Sequence, residues 1–454
     1  MILARYIVTV SAAGLAAIGA GIVPATATST SAPPRAAATT NNLLTRHNLI
    51  YGSEIGAWET DGGPAVTNPA VAADITSADI PVIRYAAYDC FTTERCGRDN
   101  HVGSLSKSTY ESAISGIATT DHAVPWLKMV PITSGSIGSV PSGSIFCPSI
   151  SILSMNLAME KQVLAATAAV YRGPIVIESS NEAEYDCAGF WGFSSAGAPG
   201  VSTDIGRMYA ATMPSLVAYA RSLGFSDVVT VGYIGVNGGP QWGDPCTVSS
   251  GSPYGYNCNP PGMWVDEFNQ AVLAAYRAHR DNADYIPNVE SVHSYCHSTD
   301  FAPNPFTFDN NECYAFQREW LTNARSQVDS IWGSGIGTNI RFAVSEWQAG
   351  ACDSYPSDCW SGYNASGNPV GGYIDGFLAM LAGNGVTTGS GTAYWAANLF
   401  ELASNGSGTR GPGAYNVINA DGSTPPWYAN FKADSVHAQA TQNSLPSGSP
   451  ITTK

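Results

Sequence analysis

Residues Ile175–Tyr185, IVIESSNEAEY, decide how the chain is read. A short β-branched run meets a carboxylate at Glu178, then two serines, then Asn181-Glu182. Apolar β-branched residues bounded by turn-forming residues read as a buried strand. That strand delivers an acid at its carboxyl end. A second run, Arg341–Trp347 (RFAVSEW), does the same with Glu346. Two carboxylates carried on two parallel strands, far apart in sequence, suit acid-assisted nucleophilic chemistry on a glycosidic bond.

Outward from these two runs, short apolar segments alternate with longer helical patterns. The expected strands are Leu49–Ile55, Val82–Tyr85, Pro125–Val130, Ile175–Glu178, Val228–Tyr233, Val289–His293, Phe342–Ser345 and Ala393–Ala396. The expected helices are Pro69–Ser77, Ser106–Ile117, Ile152–Tyr171, Ile205–Leu223, Trp264–Arg280, Cys313–Ile331, Tyr373–Leu381 and Trp427–His437. In the sixth helix Phe316, Trp320, Ala324, Val328 and Ile331 recur at helical spacing, the pattern of a face packed on a barrel wall. Strict alternation of strand and helix implies parallel strands with right-handed crossovers, and eight such units predict a single α/β domain, a closed (β/α)8 TIM barrel. An open doubly wound sheet is disfavoured, because Tyr51-Gly52-Ser53-Glu54 stands where a Gly-rich phosphate loop would follow the first strand.

The 454 residues fit one barrel with long loops. Charged residues make up 12% and aromatics 10%, with 47 Gly, which describes a globular, loop-rich chain. The formal charge of −15 disfavours a nucleic-acid partner, whose phosphates are bound by clustered Lys and Arg. Arg5, an Ala/Ile/Val run and Ala25-Thr26-Ala27 read as a signal peptide over 1–27, so a secreted, extracellular protein is expected, with no membrane association once processed. Residues 28–43 form a disordered leader, 44–438 the barrel and 439–454 a flexible tail; a monomer is expected. The ten cysteines accord with export. Near neighbours are Cys90 and Cys96, Cys246 and Cys258, Cys296 and Cys313, Cys352 and Cys359, with Cys147 and Cys187 remaining; spacing leaves the connectivity open. Staples of this kind would tie down the long loops on the strand-to-helix side. No C-x-x-C pair occurs, and His293 and His297 flanking Cys296 are a weak metal signal, so neither metal nor cofactor is expected.

The motifs, in order on these strands, resemble the clan A retaining glycoside hydrolases. Asn181-Glu182 matches the acid/base motif after the fourth strand, Ser345-Glu346-Trp347 the nucleophile strand, Arg84 the arginine of the second, His293 and Tyr295 the pair of the sixth, and Trp395 the tryptophan of the eighth. The resemblance spans about Leu44 to His437. It implies Glu346 as nucleophile and Glu182 as acid/base, about 5 to 5.5 Å apart. Chemistry supports the roles: Arg84 and the Tyr295 hydroxyl would hold Glu346 ionised, while burial and the Glu346 charge would keep Glu182 protonated. Asn181 would bond the sugar 2-hydroxyl, or serve as a turn cap. His293 would position Glu182 or a sugar hydroxyl, or be structural. Trp395 would floor the central subsite, with Trp58, Tyr233, Trp242 and Trp347 as further stacking platforms or loop packing. Glu178 and Glu54 are read as structural partners of an arginine or of Lys128, and Glu184 as a weaker rival of Glu182. Two departures stand out: Lys128-Met129-Val130-Pro131 ends the third strand without the histidine of some relatives, and Ser180 precedes the Asn-Glu pair.

The expectation is a secreted glycosidase acting on a neutral polysaccharide or oligosaccharide. Long walls of loop around the mouth favour endo action. A non-catalytic glycan-binding barrel, or an exo-acting glycosidase or transglycosylase, are the alternatives. A serine hydrolase elbow, G-x-S-x-G, and a zinc-binding H-E-x-x-H are both absent.

Overall fold

The structure is a computed structural model, and it describes residues 50–56, 69–78, 80–86, 95–96, 101–102, 107–129, 150–180, 201–237, 247–248, 256–257, 263–296, 310–349, 394–404, 418, 422 and 424. The chain divides into two units, Met1–Arg35 and Ala36–Lys454, and every described residue lies in the second.

Eight parallel strands close into a barrel: β1 (Ile50–Gly56), β2 (Val82–Ala86), β3 (Val124–Lys128), β4 (Pro174–Glu178), β5 (Asp227–Asn237), β6 (Val289–Cys296), β7 (Arg341–Ala349) and β8 (Ala396–Ser404). Each strand pairs with its sequence neighbours, and β1 pairs with β8 to close the ring. Six helices are described between them: α1 (Pro69–Ala78), α2 (Lys107–Ser115), α3 (Ile150–Val170), α4 (Val201–Leu223), α5 (Met263–Ala278) and α6 (Asn310–Trp332). The π-helical turn Gly116–Thr120 continues α2. The last two expected helices, Tyr373–Leu381 and Trp427–His437, lie outside the described residues. Small antiparallel pairs, Arg95–Cys96 with His101–Val102 and Thr247–Val248 with Tyr256–Asn257, sit in the connections after β2 and β5.

The alternation of a strand explains the two cores. Inward positions such as Ile50, Val82, Val176, Val229, Val289 and Ala343 pack together inside the ring. The intervening residues Ile83, Ile177, Val292 and Val344 join Ile114, Leu164, Leu216, Val272 and Val328 of the helices in the larger outer core. Burying each such aliphatic side chain contributes about 1.5–3 kcal/mol. Two glycines set close approaches. On β1, a Cβ at Gly52 would come within 1.9 Å of the Asn398 amide oxygen across the closing seam. On α4, a Cβ at Gly206 would meet the Phe268 carbonyl at 2.7 Å, so the absence of a side chain lets α4 and α5 touch through backbone.

One strand starts later than expected. The eighth runs Ala396–Ser404 rather than Ala393–Ala396, and Trp395 hands its carbonyl to the Ile50 amide at the amino end of the barrel. The cysteine pairings fall outside the described side chains. Among the described residues, no helix is long and apolar enough to cross a membrane.

Candidate active site

At the carboxyl ends of the strands the interior changes from apolar to charged. Two residues beyond Val82 on β2 stands Arg84, two beyond Trp126 on β3 stands Lys128, and two beyond Val176 on β4 stands Glu178. On β6 the sequence Val289, Ser291, His293 climbs the same inner face, and Glu54 does so on β1. A period of two thus stacks a polar layer on the apolar one. Glu346 needs one further device. Val344 is level with Val292, but His293 is level with Glu346, so β7 spends an extra residue at Ser345. That bulge reverses the phase of the strand and turns Glu346 inward beside His293.

These side chains form a closed ring of alternating charge. Arg84 donates through Nη1 to Glu54 Oε2 and, at 2.5 Å, to Glu346 Oε1. Lys128 Nζ donates to Glu54 Oε1 at 2.5 Å and to Glu346 Oε1 at 3.3 Å. Both carboxylates therefore bridge both cations. Glu178 is attached to the ring by Arg84 Nε at 2.6 Å, and takes further hydrogen bonds from Trp126 Nε1 at 3.0 Å and Ser291 Oγ at 2.7 Å. Arg84, Glu54 and Glu178 are fully buried, and Glu346 is 3% exposed. Charges this deep persist only when paired and hydrogen-bonded, and here each one is.

His293 lies against two members of the ring, Glu346 and Arg84. Its Nδ1 lies 3.1 Å from Glu346 Oε2 and its Nε2 lies 3.4 Å from Arg84 Nη2. Guanidinium nitrogens only donate, so Nε2 accepts and Nδ1 carries the proton that is given to Glu346. Tyr233 and the imidazole pack edge to face at 4.9 Å between centroids. Burial pushes the Glu54 carboxyl above its ordinary value, partly offset by Arg84 and Lys128 and reinforced by Glu346. For Arg84 burial works to lower the pKa, but the combined pull of Glu178, Glu54 and Glu346 takes it well above the ordinary value, and the guanidinium stays charged.

Arg84, His293 and Glu346 are thus brought together, with Tyr233 behind them. His293 faces Glu346. Tyr295 lies on β6 level with Gln348. Trp347 is buried in the outer core, between barrel and helices. Trp395 precedes β8 and packs on Trp126 inside the barrel at 5.9 Å, 2% exposed, so it fills the interior instead of presenting a face to the mouth. Asn181, Glu182, Glu184, Trp58 and Trp242 lie outside the described residues, which stop at Ser180 on this side. Trp126 and Ser291 were not singled out by the sequence reading; their signal is a hydrogen-bonding residue at an inward position of an apolar strand. Among the described residues no cluster of His, Cys, Asp and Glu could hold a metal ion.

Comparison with solved structures finds the same barrel. A family 1 β-glucosidase from Thermotoga maritima superposes with a TM-score of 0.51 at 10% identity, covering 88% of this chain and 98% of that one. An endo-1,4-β-mannanase from Rhizomucor miehei gives 0.46 at 11% identity, over 87% of this chain and 95% of that one. A monomeric β-xylosidase from Caulobacter crescentus CB15 gives 0.45 at 14%, over 84% and 67%. At this identity the likeness is one of fold. No protein-family model and no curated protein matches the sequence.

Proposed function

We propose that the protein is an exported glycoside hydrolase that cleaves a neutral polysaccharide with retention of anomeric configuration. The observation that carries this reading is Glu346, turned inward by a bulge at the carboxyl end of β7 and held by Arg84, Lys128 and His293. A carboxylate kept ionised by cations and aimed by a fixed N–H is what a glycosidic nucleophile requires.

In the first step a Glu346 oxygen attacks the anomeric carbon while the bond from that carbon to the leaving oxygen breaks. The Glu182 carboxyl proton goes to the leaving oxygen. In the second step water attacks the same carbon and gives a proton to the Glu182 carboxylate, and the ester bond to Glu346 breaks. Asn181 is assigned the 2-hydroxyl contact, and Trp58 a stacking role at the mouth. The signal-like amino terminus supports export, the paired cysteine spacing supports stapled loops, and the length of those loops supports endo action on a chain.

The test is a panel of neutral polysaccharides incubated with the parent and with Glu182→Ala and Glu346→Ala variants, scored for reducing ends. The parent is expected to release sugar from at least one glycan, and both variants to lose turnover by roughly a hundredfold or more. NMR of the first-formed anomer reads the stereochemistry. An inverted product removes the nucleophile role from Glu346, and a parent inert on every glycan removes the hydrolase reading altogether.

A further inference from the structure

The third strand ends in an ammonium group at Lys128, 2% exposed and linked to two carboxylates. We infer that Lys128 is a positioning residue for Glu346: a second cation, held in place by Glu54, that fixes the carboxylate oxygen Oε1 and keeps Glu346 ionised. The inference rests on Glu346 being the reactive carboxylate.

Geometry makes the case. Glu346 Oε1 is shared by Arg84 Nη1 at 2.5 Å and Lys128 Nζ at 3.3 Å, whereas Oε2 is turned to His293. One oxygen is anchored by two positive charges from two different strands, and the carboxylate plane is thereby fixed. Arg84 alone cannot do this, because its guanidinium is divided among Glu54, Glu178 and Glu346. With Arg84 the only cation, three carboxylates would face one positive charge. Lys128 restores the ring to two cations against Glu54 and Glu346, while Glu178 shares Arg84 through Nε and takes its other hydrogen bonds from Trp126 and Ser291. Glu54 has a matching role. Its Oε1 holds the ammonium at 2.5 Å, so the flexible stem is tied at a point within reach of Glu346. The charged and titratable groups facing Glu346 among the described residues are Arg84 on β2, Lys128 on β3 and His293 on β6, with Glu54 on β1 and Glu178 on β4 one contact away.

Two consequences follow for the reaction. A cation at Oε1 keeps Glu346 deprotonated, the form able to attack. It also stabilises the carboxylate as it departs from the glycosyl ester, so the second step benefits from the same contact.

The test reads Glu346 without any substrate. In protein carrying isotope-labelled glutamate side-chain carboxyl carbons, the Glu346 NMR resonance is assigned by its disappearance in Glu346→Gln. Its titration is then followed in the parent, in Lys128→Met and in Lys128→Arg. The midpoint is expected to rise by at least about one pH unit in Lys128→Met, as for a carboxylate losing an adjacent cation, and to return toward the parent in Lys128→Arg. A midpoint unmoved in folded Lys128→Met overturns the inference. Should Lys128→Met fail to fold, Lys128→Gln decides: it keeps a hydrogen-bond donor but removes the charge, so the Glu346 midpoint is expected to rise, and a midpoint unmoved or lowered overturns the inference. Because no glycan enters the measurement, failure here is distinct from failure of the hydrolase reading.

Discussion

Arg84 spends its donors on three carboxylates from three other strands, at Nε and at Nη1. Its removal leaves Glu54, Glu178 and Glu346 to share one ammonium, and breaking a buried pair from one side costs about 3–5 kcal/mol. Arg84→Met is therefore expected to lose at least that much stability in urea unfolding near neutral pH. Part of the loss returns as the pH is lowered, because protonating the carboxylates removes the uncompensated charge. Arg84→Lys recovers only a fraction, since a single ammonium cannot reproduce a planar fork that reaches Glu178 and Glu346 together. An Arg84→Met variant as stable as the parent contradicts the network. Arg84 and Glu346 were legible because a charged residue closing an apolar strand has few structural excuses. That Lys128 touches Glu346 was not legible, because the contact depends on the lateral register of β3, β1 and β7 around a closed ring.

At the level of the elements, amino ends were read more sharply than carboxyl ends. Val82 and Val289 begin β2 and β6 as expected, and most other starts shift by one residue. The ends run on: β5 to Asn237, β6 to Cys296 and β7 to Ala349. Hydrophobic runs mark where a strand is buried on both faces, while backbone pairing continues past that point into polar residues. Trp395 illustrates the cost. Placing the eighth strand three residues early set that side chain at the barrel mouth, whereas it packs on Trp126 inside the ring. The bulge of β7 was equally invisible, since neither Ser345 nor Glu346 announces which of them faces inward. Helix packing makes its own prediction. Gly206→Ala sets a methyl group against the Phe268 carbonyl and the Ala271 Cβ, at 2.7 and 3.0 Å. The backbone oxygen cannot rotate away, so α4 and α5 must separate, at a cost of about 1–3 kcal/mol. Thermal or urea denaturation measures it, and an unchanged midpoint denies the close contact.

Across the whole molecule, two buried acids outside the charged ring shape the response to pH. Glu290, on the outer face of β6, accepts from Asn269 at 3.2 Å and leaves Oε1 without a partner. Burial, only partly offset by Asn269 and Arg325, pushes its carboxyl up to about 8. Glu160 on α3 is likewise pushed up to about 8 by burial, and its Oε2 makes no hydrogen bond. Below an ordinary value of 4.5 both the folded and unfolded chains hold these protons. Between 4.5 and about 8 the unfolded chain releases them first, so stability falls as pH rises, and above about 8 the fall ends. Each acid contributes a slope on the order of 1 kcal/mol per pH unit within that window. Glu290→Gln and Glu160→Gln are each expected to flatten the dependence of the unfolding midpoint on pH, and parallel curves for parent and variants would refute the assignment. The charged ring has a further consequence, which concerns the order of synthesis. Both of its cations, with Glu54 and Glu178, reside on the first four strands, and only Glu346 arrives from β7. As the chain leaves the ribosome, the strands that emerge first already balance two positive charges with two negative ones, and they can begin to gather before Glu346 has been translated.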